Sequence, residues 1–422
     1  MVPCAGGSVD KSMRNILYIT YDGLTDPLGQ SQILAYLKRL SGKENRIVIM
    51  SFEKPELYEK EFSKINAIVK ENHIEWIPLH YTKRPPVLST LLDIRRGLKK
   101  AIALHKQYGL QIVHCRGYIP AIIGRRLKKL HQLKFIFDMR GWWADEKLES
   151  GFWEGPVYKP VYRYFKKLET LFFRDADFSV SLTRKGKEKI VSDALAPSEK
   201  VGVIPTCVDF NIFKPLDPVQ RRQMREKLGI REDEKVFVYS GSIGGNYDPA
   251  ILIRVFKTFQ SIHPNSFLLI LSKDRFDNTL AALFRENGIN RIHIYNAPFT
   301  EVTDYLRAGE VGFIYYKMSF STIGRSPTKL GEYWASGLPV IAFKGIGDLD
   351  YIIAEYPNSG VLLSENETLW KKEMEELSFP DAAVLRNFSS DYFHIDKGVK
   401  FYRQVYEHLI PSTSKKYESI ES

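Results

Sequence analysis

A chain of 422 residues is too long for one ordinary hydrophobic core, and two domains are the natural division. Its 44% hydrophobic and 26% charged residues describe a globular protein, with no apolar run long enough to span a bilayer and no secretory leader pattern. The net charge of +11 is uneven, with 36 Lys and Arg against 23 Asp and Glu through residue 215 and 25 against 27 thereafter, so the first half points to an anionic partner such as a membrane face or a phosphorylated acceptor.

Residues 1–14 are read as a flexible segment. From Asn15, short β-branched or aromatic runs alternate with amphipathic stretches. The runs Ile16–Tyr21, Ile47–Phe52, Ile74–Leu79, Ile112–Cys115, Phe135–Asp138, Phe178–Ser181 and Val201–Ile204 predict strands, with helices such as Leu88–His105 between most of them. Pro205–Pro218 is rich in proline and turn formers, and the linker is placed at 208–218. The alternation then restarts with Val236–Ser240, a helix from Pro249 to about His263, and strands at Phe267–Leu271, Ile292–Asn296, Val311–Tyr316, Val340–Phe343 and Gly360–Leu363. A last helix is predicted over Tyr392–Leu409, and residues 411–422 read as a tail. Apolar strands alternating with helices imply parallel sheets covered on both faces. The expected fold is therefore α/β: two tandem Rossmann-like doubly wound domains, at 15–207 and 219–389, with a cleft between them and a helix at 390–410. Ligands of such sheets bind outside the carboxyl ends of the strands.

Cys4, Cys115 and Cys207 lie far apart and show neither a C-x-x-C pair nor a metal spacing, which suits a reducing cytosol. No recognised nucleic-acid motif is present. Asp348-Leu349-Asp350 is a D-x-D string, but it reads as an acidic helix start, and no metal is expected.

The richest stretch is Ser326–Val340, S-P-T-K-L-G-E-Y-W-A-S-G-L-P-V. Ser326-Pro327 reads as N-cap and first helical residue, and Gly337 as the residue just past the helix end. A helix N-terminus offers unpaired N–H groups and about half a positive charge, a ready anion site. Lys329 in the first turn adds a full charge, and Glu332 lies on the same face, where a carboxylate can accept from ribose hydroxyls. Taken alone, this is a surface Lys–Glu pair on a capped helix. After a strand of the second α/β domain, the nucleotide reading is preferred.

With these motifs the chain resembles the family 4 glycosyltransferases of the GT-B fold. The resemblance runs from Asn15 to about Leu409. Its most specific pieces are Tyr21–Gln32 (Y-D-G-L-T-D-P-L-G-Q-S-Q), Val203–Asp209 (V-I-P-T-C-V-D), Ser240–Pro249 (S-G-S-I-G-G-N-Y-D-P) and Ser326–Ala342. It implies retaining transfer from a nucleotide-sugar without metal, a donor nucleotide held by the C-terminal domain, and a last helix crossing back to the N-terminal domain. Residue by residue, Glu332 looks like the second glutamate of the family's pair, and Gly324 stands where the first is expected. The arginine and lysine that normally clamp the diphosphate correspond to Ser242 and Tyr247, so Lys329 or Arg325 would supply the charge. Gly29 looks like the glycine that lets a donor phosphate approach the helix after the first strand; a turn glycine is its plain alternative.

The expected diphosphate and ribose side thus comprises Gly29, Ser242, Tyr247, Arg325, Ser326, Thr328, Lys329 and Glu332. The expected sugar and acceptor side comprises Gln30, His114, Arg116, Asp138 and Arg140, the last four lying at strand ends. Trp142, Trp143 and Trp153 suit stacking on a sugar or lipid headgroup, and core packing equally. The function implied is transfer from a UDP- or GDP-sugar, with no further cofactor, to a glycan or lipid-linked acceptor. Cytoplasmic, peripheral membrane placement goes with it. The alternatives are an epimerase of the same fold and a non-catalytic nucleotide- or glycan-binding protein.

Overall fold

The strand β1 (Arg14–Thr20) is buried along its whole length, and its residues divide between two faces. Leu17 and Ile19 join one hydrophobic cluster, while Ile16 and Tyr18 join another. Such two-sided burial is why the strand reads as a continuous apolar run rather than an alternating one. A computed structural model describes residues 13–215, 217–243, 248–272, 278–296 and 299–411.

Six further strands complete the first sheet: β2 (Asn45–Glu53), β3 (Glu75–His80), β4 (Ile112–Arg116), β5 (Lys134–Asp138), β6 (Phe178–Ser181) and β7 (Val201–Val203). Their order is β3-β2-β1-β4-β5-β6-β7, with every pairing parallel. The second sheet holds β8 (Lys235–Ser240), β9 (Ser266–Leu271), β10 (Ile292–Tyr295), β11 (Val311–Ile314), β12 (Val340–Phe343) and β13 (Gly360–Leu363). Its order is β10-β9-β8-β11-β12-β13, again parallel. Both sheets reverse their winding between the first strand and the fourth, which makes a ligand crevice at each switch point. The expected doubly wound pair of domains is present, and each predicted strand run forms a strand with ends shifted by two residues or fewer.

One face of the first sheet is covered by the helices Leu88–Tyr108, Tyr118–His131 and Lys159–Asp175. The other is covered by Gln30–Leu40, Pro55–Glu71 and the final helix Ile395–Leu409, whose Val399, Tyr402, Val405 and Tyr406 belong to the same cluster as Ile16 and Tyr18. The chain end thus completes the N-terminal core.

The predicted continuous helix Tyr392–Leu409 is interrupted. It is two helices, Ala382–Phe393 and Ile395–Leu409, separated at His394, whose ψ of 128° is extended. There the backbone bridges to Val208 in the linker, and Val208 N–H donates to the Phe393 carbonyl at 2.8 Å. The His394 side chain accepts from Asp396 N–H and so starts the second helix.

Candidate functional site

The two sheets meet through named contacts at their carboxyl ends. Thr183 Oγ1 donates to the Ile323 carbonyl at 2.7 Å, and Arg184 and Lys185 backbone N–H groups donate to Asp348 at 2.6 and 3.1 Å. Asp350 accepts from Gly345 N–H and pairs with Lys185 at 2.7 Å. Both carboxylates of the D-x-D string are therefore occupied in holding the domains together. Ser321 N–H donates to Glu149 at 3.2 Å, and Thr206 bonds Ser326 through its N–H (3.1 Å) and its hydroxyl (2.8 Å).

The helix that carries Lys329 and Glu332 runs from Thr328 to Ala335, one residue later than expected. Pro327 stands at the N-cap with no side-chain cap. Ser326 was expected to cap this helix, but its hydroxyl is taken by Thr206, so the side chain fixes the linker instead. Pro327 itself offers no side-chain acceptor to the helix N-terminus. At the other end Gly337, at φ 86°, ends the helix as predicted: its N–H reaches the Trp334 carbonyl and that of Leu338 reaches Tyr333.

Lys329 and Glu332 are half-buried on the cleft wall. Lys329 Nζ lies 4.8 Å from the Tyr239 ring centroid and against Gly241, where a Cβ would come within 2.9 Å of Lys329 Cε. The ammonium is thereby set at the end of β8, beside Gly241. Glu332 and Thr328 face a cavity of about 210 Å³, closed on the opposite side by Gln30, Ser31 and Lys38 and at its base by Cys207–Asp209. Burial drives Lys329 down to about 8, with Glu332 acting against it, and drives Glu332 up to about 7, with Lys329 acting against it. An anion by the ammonium would favour the protonated form of Lys329 that burial penalises.

Gly29 is buried in helical conformation, not in a turn. A Cβ there would lie 1.9 Å from the Gly23 carbonyl oxygen and 2.8 Å from Leu24 Cα. The absent side chain thus admits the chain's own loop 23–24. That loop is anchored by Glu53, which accepts from Leu24 N–H (2.8 Å), Thr25 N–H (3.2 Å) and Thr25 Oγ1 (2.5 Å). Gln30 reaches back to the Thr25 carbonyl at 3.4 Å and accepts from Lys64 at 3.1 Å. The Ser242 carbonyl accepts from Tyr239 Oη at 2.7 Å, while Tyr247 lies outside the described residues.

The residues expected on the acceptor side separate into two groups. His114 and Asp138 are not open side chains of the cleft: they are 1% and 0% exposed and lie under the last helix. His114 Nδ1 shares a hydrogen bond with Tyr406 Oη at 2.8 Å, and Tyr402 Oη donates to Asp138 at 3.0 Å. Burial lowers His114, and Asp138 only partly offsets this, so the ring is neutral near pH 7. Burial alone would raise Asp138, but Arg140, His114 and Arg116 outweigh it and hold the carboxyl at about 2. Arg116 pairs with Asp22 at 3.7 Å, and Arg140, at φ 59°, stands 3.8 Å from Asp138. These two arginines are the charged members that connect the buried group to the loop after β1. Trp142 is core, 2% exposed, and Trp143 packs edge-on to Trp153 and Phe165.

Sequence reasoning missed Glu146. Arg325 lies 3.8 Å from it and sits over the Tyr316 ring at 5.0 Å. The Arg325 Nε is buried without a hydrogen-bond partner among the described residues. Burial raises Glu146, with Arg325 opposing. The signal was the short helix Trp143–Glu149 directly after a strand end, with two acids on its cleft side.

Comparison with known proteins fits this geometry. The model of Glycosyltransferase Family 4 matches residues 30–211. EpsD of Bacillus subtilis (strain 168) is 25% identical over 54% of this chain and 58% of its own length. The D-inositol 3-phosphate glycosyltransferase of Stackebrandtia nassauensis is 26% identical over 48% of this chain and 46% of its own. The chain thus spans about half the length of these curated relatives. Among solved structures, sucrose-phosphate synthase from Thermosynechococcus elongatus superposes with a TM-score of 0.67 at 14% identity, covering 95% of this chain and all of that one. Anabaena Alr3699/HepE in complex with UDP-glucose gives 0.67 at 12% identity, covering 93% and 99%. Likeness at that identity establishes the GT-B fold.

Proposed function

We propose that this chain is a family 4 glycosyltransferase that moves a sugar from a UDP- or GDP-sugar to an acceptor held by its N-terminal domain. The single observation that carries the reading is the placement of Lys329 and Glu332 one turn apart on one helix, Lys329 against Gly241 at the end of β8 and Glu332 lining a cavity with Gln30 and Ser31. HepE, whose solved complex holds UDP-glucose, shares the fold and supports the choice of donor class. The donor diphosphate lies against the N-terminus of the helix Thr328–Ala335, with Lys329 supplying the charge that a metal supplies elsewhere. Glu332 accepts from the ribose hydroxyls. Arg325, with its buried Nε, reaches the diphosphate or the sugar.

Negative charge grows on the departing diphosphate as the glycosidic bond breaks, and Lys329 with the helix N–H groups stabilises it where it forms. Closure of the two domains excludes water, so that the acceptor hydroxyl receives the sugar. Retention of the anomeric configuration, action on glycan or lipid-linked acceptors of surface polysaccharide or glycolipid assembly, and peripheral placement at the inner membrane face are part of the same proposal. The basic N-terminal half motivates the last. Among the described residues no helix is long and apolar enough to cross a membrane.

A thermal-shift panel of nucleotide-sugars tests the reading. At least one UDP- or GDP-sugar should stabilise the protein, and Lys329→Ala and Glu332→Ala should each weaken that ligand by tenfold or more, about 1.4 kcal/mol or greater. Unchanged binding in both variants sinks it.

A further inference from the structure

The N-terminal domain carries a second large concavity, a groove of about 840 Å³ between the start of the helix Leu88–Tyr108 and the segment from Trp143 to Phe165. Its walls are apolar, with Leu91, Ile94, Ile122, Trp153 and Val161 among them. Its rim is unusually greasy for a surface. Leu91 and Phe152, which line it, are 52% and 70% exposed, and Leu88 and Leu92 on the same helix as Leu91 are 59% and 56% exposed. Contiguous exposed apolar side chains of this kind mark an interaction surface.

The charge around the groove says what it meets. Leu88, Leu91 and Leu92 stand at helical spacings of three and four, and the same stripe continues as Arg95, Arg96, Lys99 and Lys100, all exposed. Lys147 lies within the groove, its Nζ 4.3 Å from the Phe152 ring centroid. An apolar groove beside a row of exposed cations, with Lys147 inside it, is complementary to a lipid surface with anionic headgroups.

The groove is joined to the cleft. Trp143 and Lys147 of the helix Trp143–Glu149 line the groove, while Glu146 and Glu149 of that helix face Arg325 and Ser321 of the other domain. The two sites are separated by the width of one helix, roughly 10 Å.

We propose that this face docks the protein on an anionic bilayer, the rim leucines and Phe152 entering the lipid, the groove accepting a lipid chain, and the flanking cations meeting phosphate headgroups. The cleft then opens at the membrane surface, where a lipid-linked acceptor of the proposed reaction lies. The function of the docking rests on that reading; the docking itself does not.

The test is co-sedimentation of the full chain with phosphatidylcholine vesicles, plain or containing roughly one-third phosphatidylglycerol. Partition onto the anionic vesicles is expected, with weak partition onto the plain ones. Leu91→Glu/Leu92→Glu and, separately, Phe152→Glu should each reduce it about tenfold or more, with melting temperature unchanged because these side chains are already exposed. Lys99→Glu/Lys100→Glu should reduce only the anionic preference. Failure to bind anionic vesicles, or wild-type partition by both apolar variants, overturns the proposal. Partition that depends on these residues in a protein that binds no nucleotide-sugar upholds the docking surface and rejects the transferase reading.

Discussion

Trp142 fills the space that a side chain at Gly324 would need. A Cβ on Gly324 would lie 2.6 Å from Cε3 and 2.7 Å from Cζ3 of the indole, which is itself 2% exposed and packed edge-on to Phe320. The two residues come from different domains, so Gly324 and Trp142 form one matched contact across the interface. Placing Glu146 and Arg325 beside it puts the cleft's carboxylate on the N-terminal side of the interface. Gly324→Ala should lower unfolding free energy by about 1–3 kcal/mol, as overpacking does. Gly324→Glu should lower it further and bring no gain in donor affinity. Adding Trp142→Leu should recover part of the Gly324→Ala loss. A denaturant double-mutant cycle with no coupling between the sites would contradict the matched contact.

Gly29 makes a sharper case. With the Gly23 oxygen 1.9 Å from where a Cβ would stand, Gly29→Ala must displace the loop 23–24 or the helix Gln30–Leu40. Donor affinity should fall together with stability, because Gln30 lines the cavity from that helix. A crystal structure or amide-exchange measurement of Gly29→Ala with loop 21–29 unchanged would show that the tight contact is tolerated.

The last helix is held by polar groups as well as by its apolar face. Tyr406→Phe removes the hydrogen-bond partner of His114 Nδ1 in a wholly buried place, where the Nε2 already lacks a partner among the described residues. The expected loss is about 1–3 kcal/mol, with nucleotide affinity unchanged. Tyr402→Phe, which removes the donor to Asp138, should behave alike. If either variant keeps wild-type stability but loses donor binding, then His114 and Asp138 act in the cleft after all.

Much of this architecture is legible in the chain. Fully buried parallel strands must be apolar on both faces, so runs such as Ile112–Cys115 and Val340–Phe343 stand out without any tertiary information. Gly337 is equally readable, because a left-handed residue past a helix end selects glycine. The rest depends on partners distant in sequence. Nothing local separates Phe393 from Ile395, since the apolar spacing continues through His394; the break is imposed by Val208. Ser326 is a sound N-cap by type, and only Thr206, folded against it from the linker, removes its hydroxyl. His114 at a strand end gives no sign that Tyr406 will cover it. Glu146 was overlooked because its meaning comes from Arg325 in the other domain.

The paired shifts of Lys329 and Glu332 give the proposed donor site a pH signature. Lys329, at about 8, loses its proton above that value, and with it the charge offered to a diphosphate. Glu332, at about 7, gains a proton below that value and ceases to be a pure acceptor for ribose hydroxyls. Affinity for the stabilising nucleotide-sugar should therefore be greatest between about 7 and 8 and weaken on both sides. A bound diphosphate favours the ammonium, so binding above pH 8 should take up a proton, visible as a buffer-dependent enthalpy in calorimetry. For stability of the ligand-free protein the signs are set by burial. The buried ammonium opposes folding below about 8, and that penalty is relieved as pH rises through 8. The ionised carboxylate opposes folding above about 7, and its penalty is relieved as pH falls through 7. Lys329→Met should abolish the alkaline limb of the binding profile and Glu332→Gln the acid limb. A profile of unchanged shape in both variants would assign the titration, and the donor phosphate, to other groups.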